Sequence, residues 1–489
     1  MKTHIAIAVA LSALLVMPSV TATAAPEVDD SVPGLESSTD YRAADTAGSF
    51  DAASTLMPTA GVYESERALI LQQTNTLRAQ NGLPPLRLNA ALNDIAQDWS
   101  VRQAQASAMS HRPNFHLLYP AGWSRASENV AAGYSPTSVV NAWAGSPGHR
   151  ANMLSSSTDI GIGVAASSTG RLYYTQNFGR YTSAPPTPPG DVNRISGNDR
   201  FATSAQISAR TFGPGVSTVY VANGYGFPDA LSAAALAGAA AGPLLLVLRD
   251  SVPSVILSEL RRLDPDRIVA VGGTGVISDS VMATLRTVAP DVDRVLGSDR
   301  FETSRNLARD AYGQSGSAVV YVATGYGYAD ALAAGPAAAS VSAPVVLVPG
   351  DDGEADAATL SLLRDLSTDR VVIVGGVGAV SAGIEQSLAR AGLTVERIAG
   401  ADRYATAALI GARHFPDATR SYLATGSGFA DALSGGAAAG ALGAPLFTVL
   451  TGCVPSGAYA ALINQRPDDL VLLGGLGVLT PNVAGFYRC

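Results

Sequence analysis

Residues 192–489 contain three copies of one sequence pattern. Each copy opens with a Gly-x-Asp-Arg motif, and the three motifs are Gly197–Arg200, Gly297–Arg300 and Gly400–Arg403. Further along, each copy has a Gly-x-Gly motif, an aromatic residue, one more residue and an aspartate, and the three aspartates are Asp229, Asp330 and Asp431. Successive aspartates are 101 residues apart. The repeating unit is therefore as long as a domain and far longer than one turn of a solenoid.

Each unit alternates short apolar strands with helices. In the first copy we predict strands at Val219–Ala222, Leu244–Leu248 and Ile268–Val271, and helices at Asp229–Ala241, Ser251–Leu263 and Ser278–Val288. Strands that are apolar on both faces and separated by helices indicate a parallel sheet covered on both sides. We therefore predict three α/β domains with parallel sheets. The longest apolar run, Ala230–Leu248, is interrupted by Pro243 and is interpreted as a buried helix and strand rather than a membrane span.

The charge of the chain excludes one class of partner. The chain has 489 residues, 40 of them acidic and 32 basic, for a formal net charge of −8. It has no basic tract, and clustered Lys and Arg drive binding to nucleic acids, so no nucleic-acid partner is expected. Lys2 is the single lysine. Together with abundant Ala, Gly and Arg, this bias favours a high-GC, actinobacterial genome.

The amino-terminal residues have the layout of an exported protein. Residues 1–25 combine Lys2, the apolar stretch Ile5–Met17 and small residues up to Ala25, which predicts a signal peptide. Residues 26–60 are acidic and poor in large apolar groups, so we predict a disordered segment. Residues 183–190 are rich in proline and predict an extended linker. The expected product is a secreted protein with no membrane span after cleavage.

Two cysteines are present, Cys453 and Cys489. In an exported chain a disulfide between them is expected, because thiols are oxidised outside the cytoplasm. Three repeats in one chain can complete a closed pseudo-trimer, so we expect a monomer.

The repeated motifs resemble the cell-wall-binding repeat type 2 (CWB2) family, in units at 191–291, 292–393 and 394–489. The resemblance implies three copies around a pseudo-three-fold axis that attach an exported protein non-covalently to the Gram-positive cell wall through its anionic polymers. An arginine at a helix start suits phosphate or carboxylate. The polymer contacts predicted in this way are Arg200, Arg300 and Arg403.

A second interpretation of the same motif is purely structural. The aspartates before the three arginines can cap the following helices while each arginine pairs with a nearby carboxylate. These aspartates are Asp199, Asp299 and Asp402. We also assign Asp229, Asp330 and Asp431 as helix caps.

Residues 61–182 form a domain of another kind. Helices are predicted at Glu66–Gln80 and near Leu92–Ala106, followed by a hairpin of 159–165 with 172–178, which together indicate an α+β fold. The blocks around His111, the segment Ser127–Ala131 and the segment Ser146–Met153 resemble the bacterial branch of the CAP superfamily, also called SCP-like or YkwD-like domains. That resemblance implies an α-β-α sandwich with a central cleft.

The CAP resemblance assigns His111, Glu128 and His149 to the cleft. The second carboxylate of the family pattern is missing after Trp143. Two imidazoles and one carboxylate can hold a divalent metal such as zinc with an open position, so the three residues are candidates for metal binding and for catalysis. Alternatively, Glu128 and His149 hydrogen-bond to hold two loops together.

Two functions are consistent with these sequence features. We favour a surface protein that is held on the cell wall by its repeats and whose CAP domain binds a ligand such as a lipid, a peptide or a host component. The alternative is a wall-anchored, metal-dependent hydrolase that cleaves peptides or peptidoglycan with the same cleft.

Overall fold

The computed structural model describes residues 27–28 and 63–489. The predicted signal peptide, residues 1–25, lies outside the described residues, as does the predicted disordered segment apart from Glu27–Val28. Those two residues form a short strand that pairs with Arg125 and Ala126, and the disorder of residues 26–60 stays a prediction. Within the described ranges, no helix has both the length and the apolar character that a membrane crossing requires.

The CAP domain consists of a five-stranded sheet between helices, as predicted. Its strands are β1 Glu27–Val28, β2 Arg87–Leu88, β3 Trp123–Ala132, β4 Asp159–Ala166 and β5 Leu172–Tyr181. Its helices are α1 Glu64–Gln80, α2 Ala90–Ala106, α3 Val139–Gly145 and α4 Pro147–Met153, with a 3-10 turn at Phe115–Leu118. The strand order is β1-β3-β5-β4-β2, and β5 is antiparallel to both of its neighbours.

Helix α2 lies directly on β4. Its start is fixed by Asn89, whose side chain accepts hydrogen bonds from the backbone N–H groups of Ala91 and Leu92. The backbone of the helix approaches β4 at Gly161 and Gly163, where an added Cβ would collide with helix backbone atoms. The two glycines thus set the depth at which α2 packs.

The three repeat units contain the same sequence of strands and helices. The first has β6 Asp191–Ile195, α5 Arg200–Thr211, β7 Thr218–Asn223, α6 Pro228–Ala239, β8 Leu244–Val247, α7 Ser254–Leu263, β9 Arg267–Val271 and α8 Asp279–Leu285. The second has β10 Asp291–Val295, α9 Arg300–Tyr312, β11 Val319–Thr324, α10 Ala331–Ser340, β12 Val345–Val348, α11 Ala357–Asp365, β13 Arg370–Val374 and α12 Ala382–Arg390. The third has β14 Thr394–Ile398, α13 Arg403–His414, β15 Arg420–Thr425, α14 Ala430–Ala441, β16 Leu446–Val449, α15 Ser456–Gln465, β17 Asp469–Leu473 and α16 Pro481–Ala484.

The three sheets are parallel, as predicted, but each is offset by one strand from the sequence repeats. The strand orders are β10-β9-β7-β8, β12-β11-β13-β14 and β16-β15-β17-β6. Each sheet is completed by the opening strand of the following unit, and β6 of the first unit completes the sheet of the third. In that last pairing Asp469 lies opposite Asp191 and Leu473 opposite Ile195. The three units therefore form a closed ring of strand exchanges.

The centre of the ring is made of the Ala- and Gly-rich helices α6, α10 and α14, which pack against one another. Small side chains let these helices approach closely. An added Cβ at Gly440 would lie 2.6 Å from the Cβ of Ala339, and one at Gly238 would lie 3.0 Å from the same atom. The run interpreted as a buried helix and strand thus belongs to this central core.

The CAP domain is docked on the ring. The side chains of Asp94 on α2 and Arg194 on β6 form two hydrogen bonds, of 2.8 and 2.7 Å, and are 5% and 6% exposed. Gly485, just after α16, lies against Ala91 at the start of α2. The linker 183–190, which contains no helix or strand, therefore joins two domains that are in direct contact.

The end of the third unit is held by the cysteine pair. Cys453 and Cys489 are joined in a disulfide with Cα atoms 5.6 Å apart. Backbone hydrogen bonds from Val454 to Tyr487 and from Cys489 to Val454, of 2.8 and 3.1 Å, fix the same two segments.

Candidate functional site

The three predicted polymer contacts occupy equivalent places at the carboxyl ends of the parallel strands. Arg200, Arg300 and Arg403 are half-buried at the first position of α5, α9 and α13. Each donates from Nη1 to the carbonyl of the glycine that follows β7, β11 or β15, at 2.7, 2.8 and 2.8 Å. Ligands bind at this end of the strands in open α/β sheets.

The aspartates before these arginines are helix caps. Asp199 accepts a hydrogen bond from the backbone N–H of Ala202 at 2.7 Å. Asp299 and Asp402 accept the equivalent bonds at 2.8 Å. The second part of the structural interpretation does not hold, because none of the three arginines has a carboxylate within 4.0 Å in the described part of the chain.

The side chains of Asp229, Asp330 and Asp431 do not cap helices, so that prediction was wrong, although Asp330 occupies the N-cap position of α10. None of α6, α10 and α14 has a side-chain cap hydrogen bond. The three carboxyls instead turn inward, against the paired glycines after β9, β13 and β17. Gly272, in one of these loops, has φ +113°, and a Cβ there would lie 2.7 Å from Oδ2 of Asp229. Only glycine therefore suits this position.

Each of these carboxyls also lies near the arginine of another unit. Burial raises the pKa of Asp229 to about 6, while Arg300 and a hydrogen bond from Thr303 oppose the change. Burial likewise raises the pKa of Asp330, opposed by Thr406 and Arg403. It also raises the pKa of Asp431, opposed by Arg200. At each of the three junctions between units, an aspartate of one unit thus lies near an arginine of another unit.

Three aromatic rings, Phe227, Tyr328 and Phe429, meet where the three units converge. Their centroids are 5.5, 5.6 and 5.9 Å apart. The guanidinium carbon of Arg300 lies 5.8 Å from the Phe227 ring, and that of Arg403 lies 5.9 Å from the Tyr328 ring. We call these three rings, the three arginines and the three inward aspartates the axial cluster.

In the CAP domain, Glu128 is fixed by its neighbours. It is buried on β3. Its Oε1 accepts a hydrogen bond from the backbone N–H of Arg112 and lies 2.9 Å from Nδ1 of His111. Its Oε2 accepts a bond from Nδ2 of Asn177 at 3.4 Å. The partner of Glu128 is therefore His111. The structural alternative, a hydrogen bond between Glu128 and His149, was wrong.

His149 lies on α4, close enough to His111 for the two rings to interact electrostatically. Burial, and then the charge of His111, lower the pKa of His149, so its imidazole is neutral at physiological pH. Its backbone carbonyl accepts a hydrogen bond from the side chain of Asn129 at 3.1 Å. This bond ties α4 to β3.

The predicted zinc ligands are not arranged as a metal site. Across residues 27–28 and 63–489, no group of three or more His, Cys, Asp or Glu side chains is placed to hold a metal ion. Nδ1 of His111 is directed at Glu128, whose Oε1 already has a second donor. We therefore derive no chemistry through zinc, and zinc binding stays a prediction.

The comparison with protein families decides the identity of the repeats. The model of cell wall binding domain 2 (CWB2) matches residues 194–282, 294–385 and 397–484. The chain belongs to the CWB2 family. The model of the cysteine-rich secretory protein family matches residues 71–178, which lie within the CAP domain. Three CWB2 repeats and a CAP domain support a cell-surface protein bound to the wall.

The regions aligned with curated relatives are as long as either the three repeats or the CAP domain. N-acetylmuramoyl-L-alanine amidase LytC of Bacillus subtilis is 27% identical over 293 residues, which are 60% of this chain and 57% of LytC. The uncharacterized protein YkwD of the same organism is 31% identical over 118 residues, 22% of this chain and 45% of YkwD. The chain thus spans about half the length of these relatives.

Two solved structures from Clostridium difficile share the fold. Cwp8 is 29% identical with a TM-score of 0.54, over 60% of this chain and 50% of Cwp8. Cwp6 is 24% identical with a TM-score of 0.56, over 62% of this chain and 48% of Cwp6.

Sequence reasoning missed one further set of residues in the CWB2 ring, the arginines that open each copy. Arg294 and Arg397 donate to the carbonyls of Gly272 and Gly375, both at 2.8 Å, and Arg194 donates to that of Gly474 at 2.6 Å. The signal was present, because an arginine begins the motif block in every copy. Its role was hidden, since each acceptor belongs to another sequence unit.

Proposed function

We propose that the CWB2 ring holds the protein on the cell wall by binding an anionic wall polymer at the axial cluster. The observation that carries this proposal is the set of three equivalent, half-buried arginines, each held by a backbone carbonyl rather than by a carboxylate. A guanidinium in that state keeps donors for phosphate or carboxylate groups.

The overall charge of the repeats shapes the expected binding. Residues 183–489 carry 27 acids and 21 arginines, a net charge of −6. An anionic polymer is therefore held by local arginines and helix starts against a repulsive background. Such binding weakens as salt screens the local charges.

The relatives support an attachment role for the ring. The match to LytC covers 293 residues, which is close to the length of the three repeats. The name of that relative describes an amidase, whereas this chain carries a CAP domain. We infer that the ring is a common attachment module that displays different domains.

The test is sedimentation of the full chain with purified Gram-positive cell walls. Replacing Arg200, Arg300 and Arg403 together by Gln should weaken binding by roughly tenfold or more, since three charge-assisted contacts are lost. Removing the anionic polymer from the walls should abolish sedimentation. The control is Arg249→Gln, an arginine 58% exposed beside Asp250. Equal sedimentation of triple variant and wild type would refute the mechanism.

For the CAP domain we propose ligand binding without turnover. The support is the buried position of Glu128, which is held by His111, by the backbone N–H of Arg112 and by the side chain of Asn177. The test is turnover of casein and of wall peptides, beside titration with a fluorescent fatty acid. We expect no turnover and saturable binding that His149→Ala weakens. The control is His116→Ala, at a histidine of the 3-10 turn whose ring contacts Phe115 and Trp123, and it should leave binding unchanged. Hydrolysis lost in His149→Ala but kept in His116→Ala would instead establish the hydrolase.

A further inference from the structure

A cavity of about 270 Å³ lies between the CAP domain and the first repeat unit. Helices α1 and α2 and strand β4 form its CAP wall, and strand β6 and helix α5 form its ring wall. Its lining residues in the described chain include no member of the axial cluster and none of His111, Glu128 and His149. The cavity is therefore separate from both sites described above, and it lies at a domain interface, where ligand sites are frequent.

The two carboxylates of the cavity already have partners. Asp94 accepts two hydrogen bonds from Arg194, at 2.8 and 2.7 Å. Oδ2 of Asp98 lies 2.9 Å from Nε of Arg102 and 2.9 Å from Nη1 of Arg112. Both negative charges are thus offset by arginines, and neither carboxylate is left to pair with the remaining cations of the cavity.

Two further arginines of the cavity lack such a partner. Arg67 on α1 lies 3.8 Å from Glu64, which is longer than a hydrogen bond. Arg210 on α5 donates from Nη1 to the backbone carbonyl of Arg194 at 3.1 Å, and its buried Nε has no hydrogen-bond partner in the described part of the chain. Burial lowers the pKa of both guanidinium groups, since a buried charge without a close counter-charge is penalised. An anion in the cavity would supply that counter-charge.

The rest of the cavity wall is partly apolar and already in place. Val101 and Ala104 of α2 and Val192 of β6 contribute apolar surface. The side chain of Gln97 donates to the carbonyl of Val164 at 2.8 Å and accepts from its N–H at 3.1 Å, which fixes α2 against β4. A wall fixed in this way loses little conformational entropy when a ligand packs on it.

We propose that this cavity binds a small organic carboxylate with an apolar body, and that its carboxylate group lies between Arg67 and Arg210. Guanidinium groups bind carboxylates through strong, charge-assisted hydrogen bonds, and the apolar body packs on the valine surface. A cavity of about 150 Å³ holds benzene, so the larger volume here suits a ligand of about ten non-hydrogen atoms. Arg67 belongs to the CAP domain and Arg210 to the ring, so the ligand bridges the two domains. The site is additional to the proposed wall attachment.

The first experiment is calorimetric titration of the full chain with three probes. The probe 3-phenylpropionate has the expected size, charge and apolar body. The amide 3-phenylpropionamide has the same shape without the charge, and acetate has the charge without the body. We expect a Kd of about 1 mM or lower for 3-phenylpropionate, and binding at least about tenfold weaker for the other two probes, because each lacks one part of the match.

Variants test the two arginines. Arg67→Gln/Arg210→Gln should weaken binding of 3-phenylpropionate about tenfold or more, and each single variant about threefold, since charge-assisted hydrogen bonds are lost. Thermal unfolding checks that each variant is folded, and the single variants carry the test if the double variant is not. Arg249→Gln, at an arginine 58% exposed, and His149→Ala in the CAP cleft are the controls and should bind as the wild type does. The double variant should sediment with cell walls like the wild type, because its axial cluster is intact.

A second measurement tests the bridging of the domains. A ligand that contacts both domains favours the docked state, so its binding should protect the linker 183–190 from proteolysis. At ten times its Kd, 3-phenylpropionate should slow linker cleavage about tenfold, whereas acetate at the same concentration should change it little.

Each contrary outcome has a definite meaning. Absence of saturable 3-phenylpropionate binding, or equal binding by the folded double variant and the wild type, overturns the site. Equal binding of the amide and the acid refutes the role of the arginines. Binding that is lost in His149→Ala places the probe in the CAP cleft and also overturns the proposal. Saturable binding with unchanged linker cleavage refutes the bridging of the domains. Wall sedimentation of the wild type is measured separately, so wall attachment and this site can fail independently.

Discussion

The Asp229 carboxyl changes its charge within the range of pH that a cell surface meets. Its pKa is raised to about 6 because burial penalises the ionised form more than Arg300 and Thr303 favour it. An unfolded aspartate has a pKa near 3.9, so the folded chain binds this proton more tightly. The resulting stabilisation is fully present below about pH 4 and is lost as the pH rises through about 6.

The same carboxyl controls how much of the Arg300 charge is free. Above pH 6, ionised Asp229 offsets that charge, whereas below pH 6 the neutral acid leaves it available to a phosphate. We therefore expect binding to poly(glycerol phosphate), whose phosphodiesters stay ionised, to strengthen about two- to threefold from pH 7.5 to 5.0. Affinity measured by titration across this range checks the prediction.

Asp229→Asn should remove most of this pH dependence and bind at pH 7.5 about as tightly as the wild type does at pH 5.0. Asp250→Asn, at a residue 65% exposed beside Arg249, is the matched control and should keep the dependence. Affinity that falls on acidification of the wild type would contradict the assignment of Asp229.

At the scale of helices and strands, local sequence patterns predicted where each helix and strand lies. Contacts between residues far apart in the sequence decided how these elements pack together. The three strands and three helices predicted for the first unit match β7, β8, β9, α6, α7 and α8 to within a few residues, because apolar runs and helix starts are local signals. No bounds were predicted for β6 and α5. The cap role of Asp199 was also local, since its partner lies three residues away. The role of Asp229 was not, because Gly272 and Arg300 lie far along the chain.

Which sheet a strand joins could not be predicted from its local sequence either. The strand Asp291–Val295 lies at the boundary between the predicted units 191–291 and 292–393, and it completes the sheet of the first unit. Nothing in its own residues distinguishes the two sheets it can join. In the CAP cleft, resemblance supplied the names His111, Glu128 and His149, but only the fold shows that Glu128 pairs with His111.

In the whole molecule, the docking of the CAP domain follows from a difference among the three units. Arg294 and Arg397 pair with acids of a nearby helix, Asp279 at 3.4 Å and Glu385 at 2.9 Å. Helix α16 has no acidic residue, and Arg194 pairs instead with Asp94 of the CAP domain. The CAP domain thus supplies the carboxylate that the third sheet's own helix lacks.

Asp94→Ala should loosen this docking, because it leaves Arg194 buried without its carboxylate. Removal of one partner of a buried ion pair costs about 3 kcal/mol or more. We expect much faster proteolytic cleavage in the linker 183–190, followed by gel electrophoresis over time. Asp279→Ala removes the equivalent partner at a side chain 87% exposed and should change cleavage little. Equal cleavage rates for the two variants would show that the domains are held by other contacts.

The pairing of β6 with β17 has a consequence for the order in which the chain is made. A ribosome completes β6 first and β17 last among the strands of the ring, with more than 270 residues between them. Until the third unit emerges, β6 has no partner and presents an open strand edge, which is a site for misassociation between chains. Folding of the ring can finish only after translation of its last strand, so a chain cut short in the third unit loses closure of all three units.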